Sequence, residues 1–244
     1  MATRKEVFAP QDTIVDLPQL VIKTVEKLKK GQRVNISRLT AKEMNGVGLC
    51  YWYGHHIDLN YEEAVKWYKA SAAKRCSKAE FNLYICYKKG TGVEKDMIEA
   101  LSWLKKAAKH NDATAQVFLG EYYYNGIHVK KNRCYAERWF KKALENAYKN
   151  EVAVVLNDLG VKYYGGEYGF QKDKAMAIKC FEKAGELGLS LSIGWLIIIY
   201  IEDGNTERVE YWKKKYRKCI KKYRFITAIV NQKCNEFKQQ KIIG

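Results

Sequence analysis

Proline is almost missing from this chain, with two residues in 244, and glycine stops at 17. That composition excludes collagen-like and proline-rich low-complexity architectures. Histidine occurs four times, with no His-Glu-x-x-His pair among them. Seven cysteines make an odd number at irregular spacing, which argues against the even framework of a disulfide-stapled secreted domain. Met1–Val7 lacks the apolar core of a signal peptide. The longest nearly unbroken apolar stretch, Leu189–Ile201, is interrupted by serines and falls well short of the ~20 residues a membrane span needs. These absences predict a soluble, intracellular protein, most simply cytoplasmic, with no transmembrane segment.

Catalytic signatures are missing as well. There is no Gly-x-Ser-x-Gly elbow and no phosphate-binding loop. Lys88-Lys89-Gly90-Thr91-Gly92 falls at a helix end and turn. Cys50 with His55 and His56 has no second ligand pair, so Cys50 reads as structural. The expectation is a non-enzymatic protein with no catalytic residues, no metal and no cofactor.

Acidic side chains are in deficit: 27 against 44 basic ones, a net charge of +17. Residues 205–244 hold 12 Lys and Arg against three Asp and Glu, about half of that excess. The apolar fraction of 47% and aromatic fraction of 13% are those of a folded protein.

Internal repetition decides the architecture. Ala-x-x-aromatic recurs at Ala64–Trp67, Ala100–Trp103 and Ala136–Trp139, 36 residues apart each time, then at Ala177–Phe181 and Val209–Trp212 in altered form. Between these lies apolar-Gly-x-x-Tyr-x-x-Gly, built on Tyr51, Tyr87, Tyr123 and Tyr163 and closed by Gly54, Gly90, Gly126 and Gly166. Tyr84 replaces the first glycine in the second copy, and a variant with Tyr200 and Gly204 ends the series. Both patterns have helical spacing. The closing glycines end a first helix, and Asp96, Asn132 and Asp173 can cap a second. Each unit is therefore helix, loop, helix, and a lone unit cannot bury its apolar face.

Ala115 through Gly126, and Gly92 through Ala108, resemble the Sel-one-like repeat of the tetratricopeptide-like superfamily. The resemblance covers roughly residues 41–215 and implies an all-α, right-handed α-solenoid of stacked hairpins of about 36 residues. Residues 1–40 would form an N-terminal cap and 216–244 a basic C-terminal capping helix. The resemblance further implies a scaffold or adaptor for protein–protein interaction, with first helices lining a concave groove. The corresponding positions are Lys42, Asn45, Leu49, Trp52 and Tyr53; Lys78, Phe81, Ile85, Lys88 and Lys89; Thr114, Val117, Glu121, Tyr124 and Asn125; and Val154, Asn157, Val161 and Tyr164. Aromatic anchors beside lysines suit an acidic or phosphorylated peptide. The same stripe could equally be packing between helices, with Leu49, Phe81 and Ile85 the clearest instances.

Two other segments offer alternatives. In the tail, Val209, Trp212, Tyr216, Cys219, Tyr223, Ile226, Val230 and Phe237 form an apolar stripe opposite Lys213, Lys214, Lys215, Lys218, Lys221 and Lys222. Such a helix either caps the solenoid or binds nucleic acid or another anionic surface, although no nucleic-acid motif accompanies it. Near the start, Asp16-Leu17-Pro18-Gln19-Leu20-Val21 predicts a helix capped by Asp16, with proline in its first turn, ending before Gly31. Its opening resembles an F-box, the motif that joins ubiquitin-ligase scaffolds; an N-terminal cap is the other reading.

Overall fold

A computed structural model describes residues 18–150 and 152–220. Among the described residues all regular structure is helical, with no strand, as the all-α solenoid class requires. The α-helices are α1 (Gln19–Lys29), α2 (Ala41–Tyr53), α3 (Tyr61–Ala73), α4 (Ser77–Lys89), α5 (Met97–Lys109), α6 (Ala113–Asn125), α7 (Arg133–Lys149), α8 (Ala153–Gly165), α9 (Lys174–Glu186), α10 (Ser190–Glu202) and α11 (Thr206–Ile220). The chain divides into two compact units, Met1–Ala115 and Gln116–Gly244. In the first, α2 packs on α3, α3 on α4 and α4 on α5; in the second, α8 packs on α9, α9 on α10 and α10 on α11.

The four tyrosines of the repeat occupy matching places. Their carbonyls accept a hydrogen bond from the backbone N–H of the residue that caps the following helix: Asn60 to Tyr51 at 3.0 Å, Asp96 to Tyr87 at 3.0 Å, Asn132 to Tyr123 at 2.8 Å and Asp173 to Tyr163 at 2.9 Å. The side chains of Asn60, Asp96, Asn132 and Asp173 then accept N–H groups from the first turn of α3, α5, α7 and α9. One bond thus joins the two helices of a hairpin, and a side chain of the same residue starts the second.

A second periodic feature lies in the loop. Two residues past each closing glycine the backbone turns left-handed again, at His56, Gly92, His128 and Tyr168. Only the second of these demands glycine for space. A Cβ at Gly92 would stand 2.3 Å from the carbonyl oxygen of Tyr61, so this loop rests directly on the start of α3.

The core is built from a small residue on the first helix facing a ring on the second. Tyr68 closes on Gly48, Phe140 on Gly120 and Phe181 on Gly160, with rings 2.6–2.7 Å from where a Cβ would sit. In the second hairpin the sizes are exchanged: Tyr84 stands at the glycine position and Leu104 at the ring position, both fully buried. Space is conserved across the hairpin even though the residues are not.

At the start, α1 lays Val21 and Val25 against Met44, Val47, Cys50 and Trp67. The sequence placed Asp16 at its N-cap and Pro18 inside the first turn. Instead α1 begins at Gln19, with Pro18 at the cap position and no side-chain cap bond. The Pro18 carbonyl takes the N–H groups of Val21 and Ile22, so proline serves the start through its oxygen and its fixed φ. Asp16 lies outside the described residues. At the other end Val209, Trp212 and Tyr216 bury against Ile193, Leu196, Ile197 and Tyr200. Helix α11 runs unbroken through residue 216.

Candidate functional site

In the first unit, α2 and α4 present Lys42, Lys78 and Lys89 as exposed side chains, while Trp52, Tyr53, Phe81 and Lys88 are half-buried. Trp52 packs edge-on to Tyr61, with ring centroids 4.9 Å apart, and lies near Tyr68 at 6.3 Å. The Tyr53 hydroxyl is buried without a hydrogen-bond partner, and burial pushes its pKa up to about 12. It therefore stays neutral and acts as packing. Phe81 contacts the Tyr84 ring at 5.5 Å, and the Lys88 ammonium donates to the Tyr84 hydroxyl at 3.0 Å. Asn45 is buried, accepting a 3.0 Å hydrogen bond from Asn82 of α4, so it ties neighbouring first helices together. Leu49 is buried as well.

In the second unit Asn125 is exposed, while Tyr124, Asn157 and Tyr164 are half-buried. Tyr124 stacks at an angle on Tyr168 (5.8 Å) and has the Arg133 guanidinium 5.7 Å from its ring. The Asn157 amide oxygen accepts the Ser192 hydroxyl at 2.9 Å. Tyr164 packs on Trp195 at 5.6 Å and donates to the Glu202 carboxylate at 2.8 Å. Glu121 is buried and ion-paired with Lys162 at 3.0 Å.

The first-helix positions therefore divide by type. Lys42, Lys78 and Lys89 reach water; Trp52, Phe81, Tyr124 and Tyr164 pack against other rings; Asn45, Asn157 and Glu121 bond across helices. The sequence pattern brought these residues to one set of helices without separating the three roles.

Lys162 was not singled out from the sequence. Its side chain is 1% exposed, and the ammonium is bonded to Asp158 at 2.7 Å and Glu121 at 3.0 Å, with the Tyr168 ring 4.9 Å away. Lys162 occupies the place held by Cys50, Cys86 and Tyr122 in the other repeats. A charged residue at a core position of a repeat was the available signal.

Of the basic tail, Lys213 pairs with Glu210 at 2.8 Å and Lys215 lies 5.0 Å from the rings of both Tyr211 and Trp212. Lys214 is exposed. The side chain of Lys218, and Lys221 and Lys222, lie outside the described residues. Among the described residues no group of three His, Cys, Asp or Glu is placed to hold a metal, and no helix is long and apolar enough to cross a membrane.

The Sel1 repeat family matches four segments, residues 44–75, 77–112, 113–148 and 153–189, more than half of the chain. This chain belongs to the Sel1 repeat family. Among solved structures it resembles a Sel1 repeat protein from Oxalobacter formigenes at 30% identity, covering 73% of each chain with a TM-score of 0.60. It also resembles the immunity protein Pa5087 from Pseudomonas aeruginosa in fold, at 14% identity over 86% of this chain and 85% of that one, with a TM-score of 0.55. A second Pseudomonas aeruginosa protein, PA5086, matches at 15% identity, 86% and 79% coverage and a TM-score of 0.56. No curated protein sequence matches. Sel1 repeat proteins are in general protein-interaction scaffolds, typically without enzymatic activity. The fifth hairpin, α10–α11, lies beyond the matched repeats and keeps the hairpin's capping bond, from the Asn205 N–H to the Tyr200 carbonyl at 2.9 Å, with a different sequence.

Proposed function

We propose that this Sel1 repeat protein is a non-enzymatic adaptor that holds a protein or peptide ligand of acidic character against its first-helix face. The observation that carries this reading is the exposure of Lys42, Lys78 and Lys89 on the helices that also carry the half-buried rings of Trp52 and Phe81. Preformed rings displace water without further ordering, and the lysines steer an acidic chain toward them. Asn45 belongs to the scaffold of the first unit, and Glu121 and Asn157 to that of the second, since their polar atoms are bonded within it.

The F-box alternative has less to stand on, because Val21 and Val25 of α1 are fully buried against the first hairpin. Binding of nucleic acid or another anionic surface by the tail loses two of its lysines, Lys213 and Lys215, to contacts within α11. The test is a quantitative capture experiment with Lys42→Glu/Lys78→Glu/Lys89→Glu and, in parallel, Lys213→Glu/Lys214→Glu/Lys215→Glu. The first variant loses acidic protein partners and the second keeps them. Equal recovery by wild type and the first variant would refute the assignment, and loss by the second alone would transfer it to α11.

A further inference from the structure

Five cations gather at one edge of the first unit. The Lys74 ammonium, just past the end of α3, donates to the carbonyls of Leu39 at 2.7 Å and Ser37 at 3.4 Å. The α3–α4 turn is thereby tied to the short helical turn Ile36–Arg38 that precedes α2. The Ser71 hydroxyl of α3 donates to the Ala41 carbonyl at 2.6 Å, and Asn82 of α4 bonds to Asn45 of α2. These contacts set the starts of α2 and α4 at the same edge, where Arg38, Lys42, Lys74, Arg75 and Lys78 are all exposed.

No carboxylate of the protein neutralises this group. Among the described residues none of the five forms an ion pair, whereas Lys66, Lys174 and Lys213 do so elsewhere. The carboxylates of α2, α4 and the α5–α6 turn are engaged. Glu43 takes the N–H and hydroxyl of Thr40, and Glu80 holds His110 at 2.8 Å. Asp112 feels the charge of Lys78 but accepts the Ala115 N–H at 2.8 Å. Cations crowded without counter-charge repel one another, and an anion from outside relieves that cost. Arg75 also holds φ of 59°, a conformation unfavourable to a residue with a Cβ; Gly188 fills the matching place before α10. The start of α4 beside it has no side-chain cap bond, so its partial positive charge adds to that of Arg75 and Lys78.

We propose that this edge seats the phosphate group of a phosphorylated peptide, with Arg38 and Arg75 as its forked donors and Lys42 and Lys78 beside them; the inference rests on the adaptor reading and names the charge its ligand carries. A phosphate monoester brings nearly two charges and three acceptor oxygens, which two guanidinium forks and flanking ammonium groups satisfy together. A single carboxylate is too small to engage them all. Arginine is scarce in this chain, nine residues against 35 lysines, and two of the nine stand here. Lys42 and Lys78 begin the helices that carry Trp52 and Phe81, so the seat continues into the proposed peptide face. That continuity favours a peptide over other carriers of phosphate.

The test is fluorescence anisotropy of the full chain with a peptide pool randomised around a central phosphoserine. The same pool with glutamate at the centre, and a short oligodeoxythymidylate, are measured in parallel. The variant is Arg38→Gln/Arg75→Gly: both positions are exposed, and glycine takes the left-handed turn more readily than arginine, so the fold is kept. Wild type binds the phosphoserine pool about tenfold tighter than the glutamate pool, and the variant loses that preference while still binding glutamate peptides. Equal affinities in wild type, or a preference that survives in the variant, would overturn the proposal. So would oligodeoxythymidylate binding tighter than the phosphoserine pool and lost in the variant, because the seat would then serve nucleic acid. Lys89→Glu, at the far end of α4, separates this result from the groove reading. It weakens both pools if the groove holds them; unchanged binding with the phosphate preference intact sinks the groove and leaves the seat standing.

Discussion

Replacing Gly160 by alanine places a methyl group 2.7 Å from Phe181 Cε1, 2.9 Å from Cδ1 and 3.1 Å from Cζ. Carbon atoms need about 3.5 Å or more, so the ring or the helix must move. Phe181 is fully buried among Ala177, Ile193 and Leu196, and Trp195 stacks on it at 5.8 Å, 7° from parallel, so there is little room for retreat. Overpacking of this kind costs about 1–3 kcal/mol. The same change raises helix propensity by about 1 kcal/mol, since Gly160 lies inside α8. The net loss for Gly160→Ala is therefore about 0–2 kcal/mol. In a Phe181→Leu background the clash is gone and only the propensity gain is left, so the sign reverses and alanine stabilises by up to about 1 kcal/mol. Tyr84 facing Leu104 in the second hairpin is the native precedent for that exchange. The assay is a double-mutant cycle by urea denaturation, expected to give a coupling of about 1–3 kcal/mol. Additivity within about 0.5 kcal/mol would refute the claim that glycine is kept at this position to seat the ring.

Other outcomes follow from single contacts. Lys162→Met removes the buried ammonium that Glu121 and Asp158 share and destabilises by about 3–5 kcal/mol, whereas Glu121→Gln/Asp158→Asn/Lys162→Met together recovers most of that loss; chemical denaturation of both separates the cases. Burial pushes Cys50 and Cys180 up to about 11 and Cys86 to about 12, so at pH 8 all three stay protonated. An alkylating reagent then labels exposed Cys134 in the native protein and reaches those three only after unfolding, as peptide mapping would show. Labelling of Cys86 at the rate of Cys134 in folded protein would contradict the packing described.

The sequence determined whatever is local and repeated. Tyrosines at fixed spacing before a glycine, and Asn or Asp at the start of the next apolar run, specify helix, left-handed turn and capped helix from contacts within one hairpin. That is why Asp96, Asn132 and Asp173 cap where the pattern placed them. Position along a helix also assigned Lys42, Lys78 and Lys89 to first helices. It did not separate exposure from burial, because Asn45 and Glu121 share that stripe and differ only in having partners on another helix. Tertiary structure alone decided which polar groups meet across 30 residues or more, as Glu80 does with His110 and Lys162 with Glu121. Those pairings depend on the rotation and distance of packed helices, which single-helix periodicity does not encode, and they decide where a basic, repetitive chain stores its buried charge.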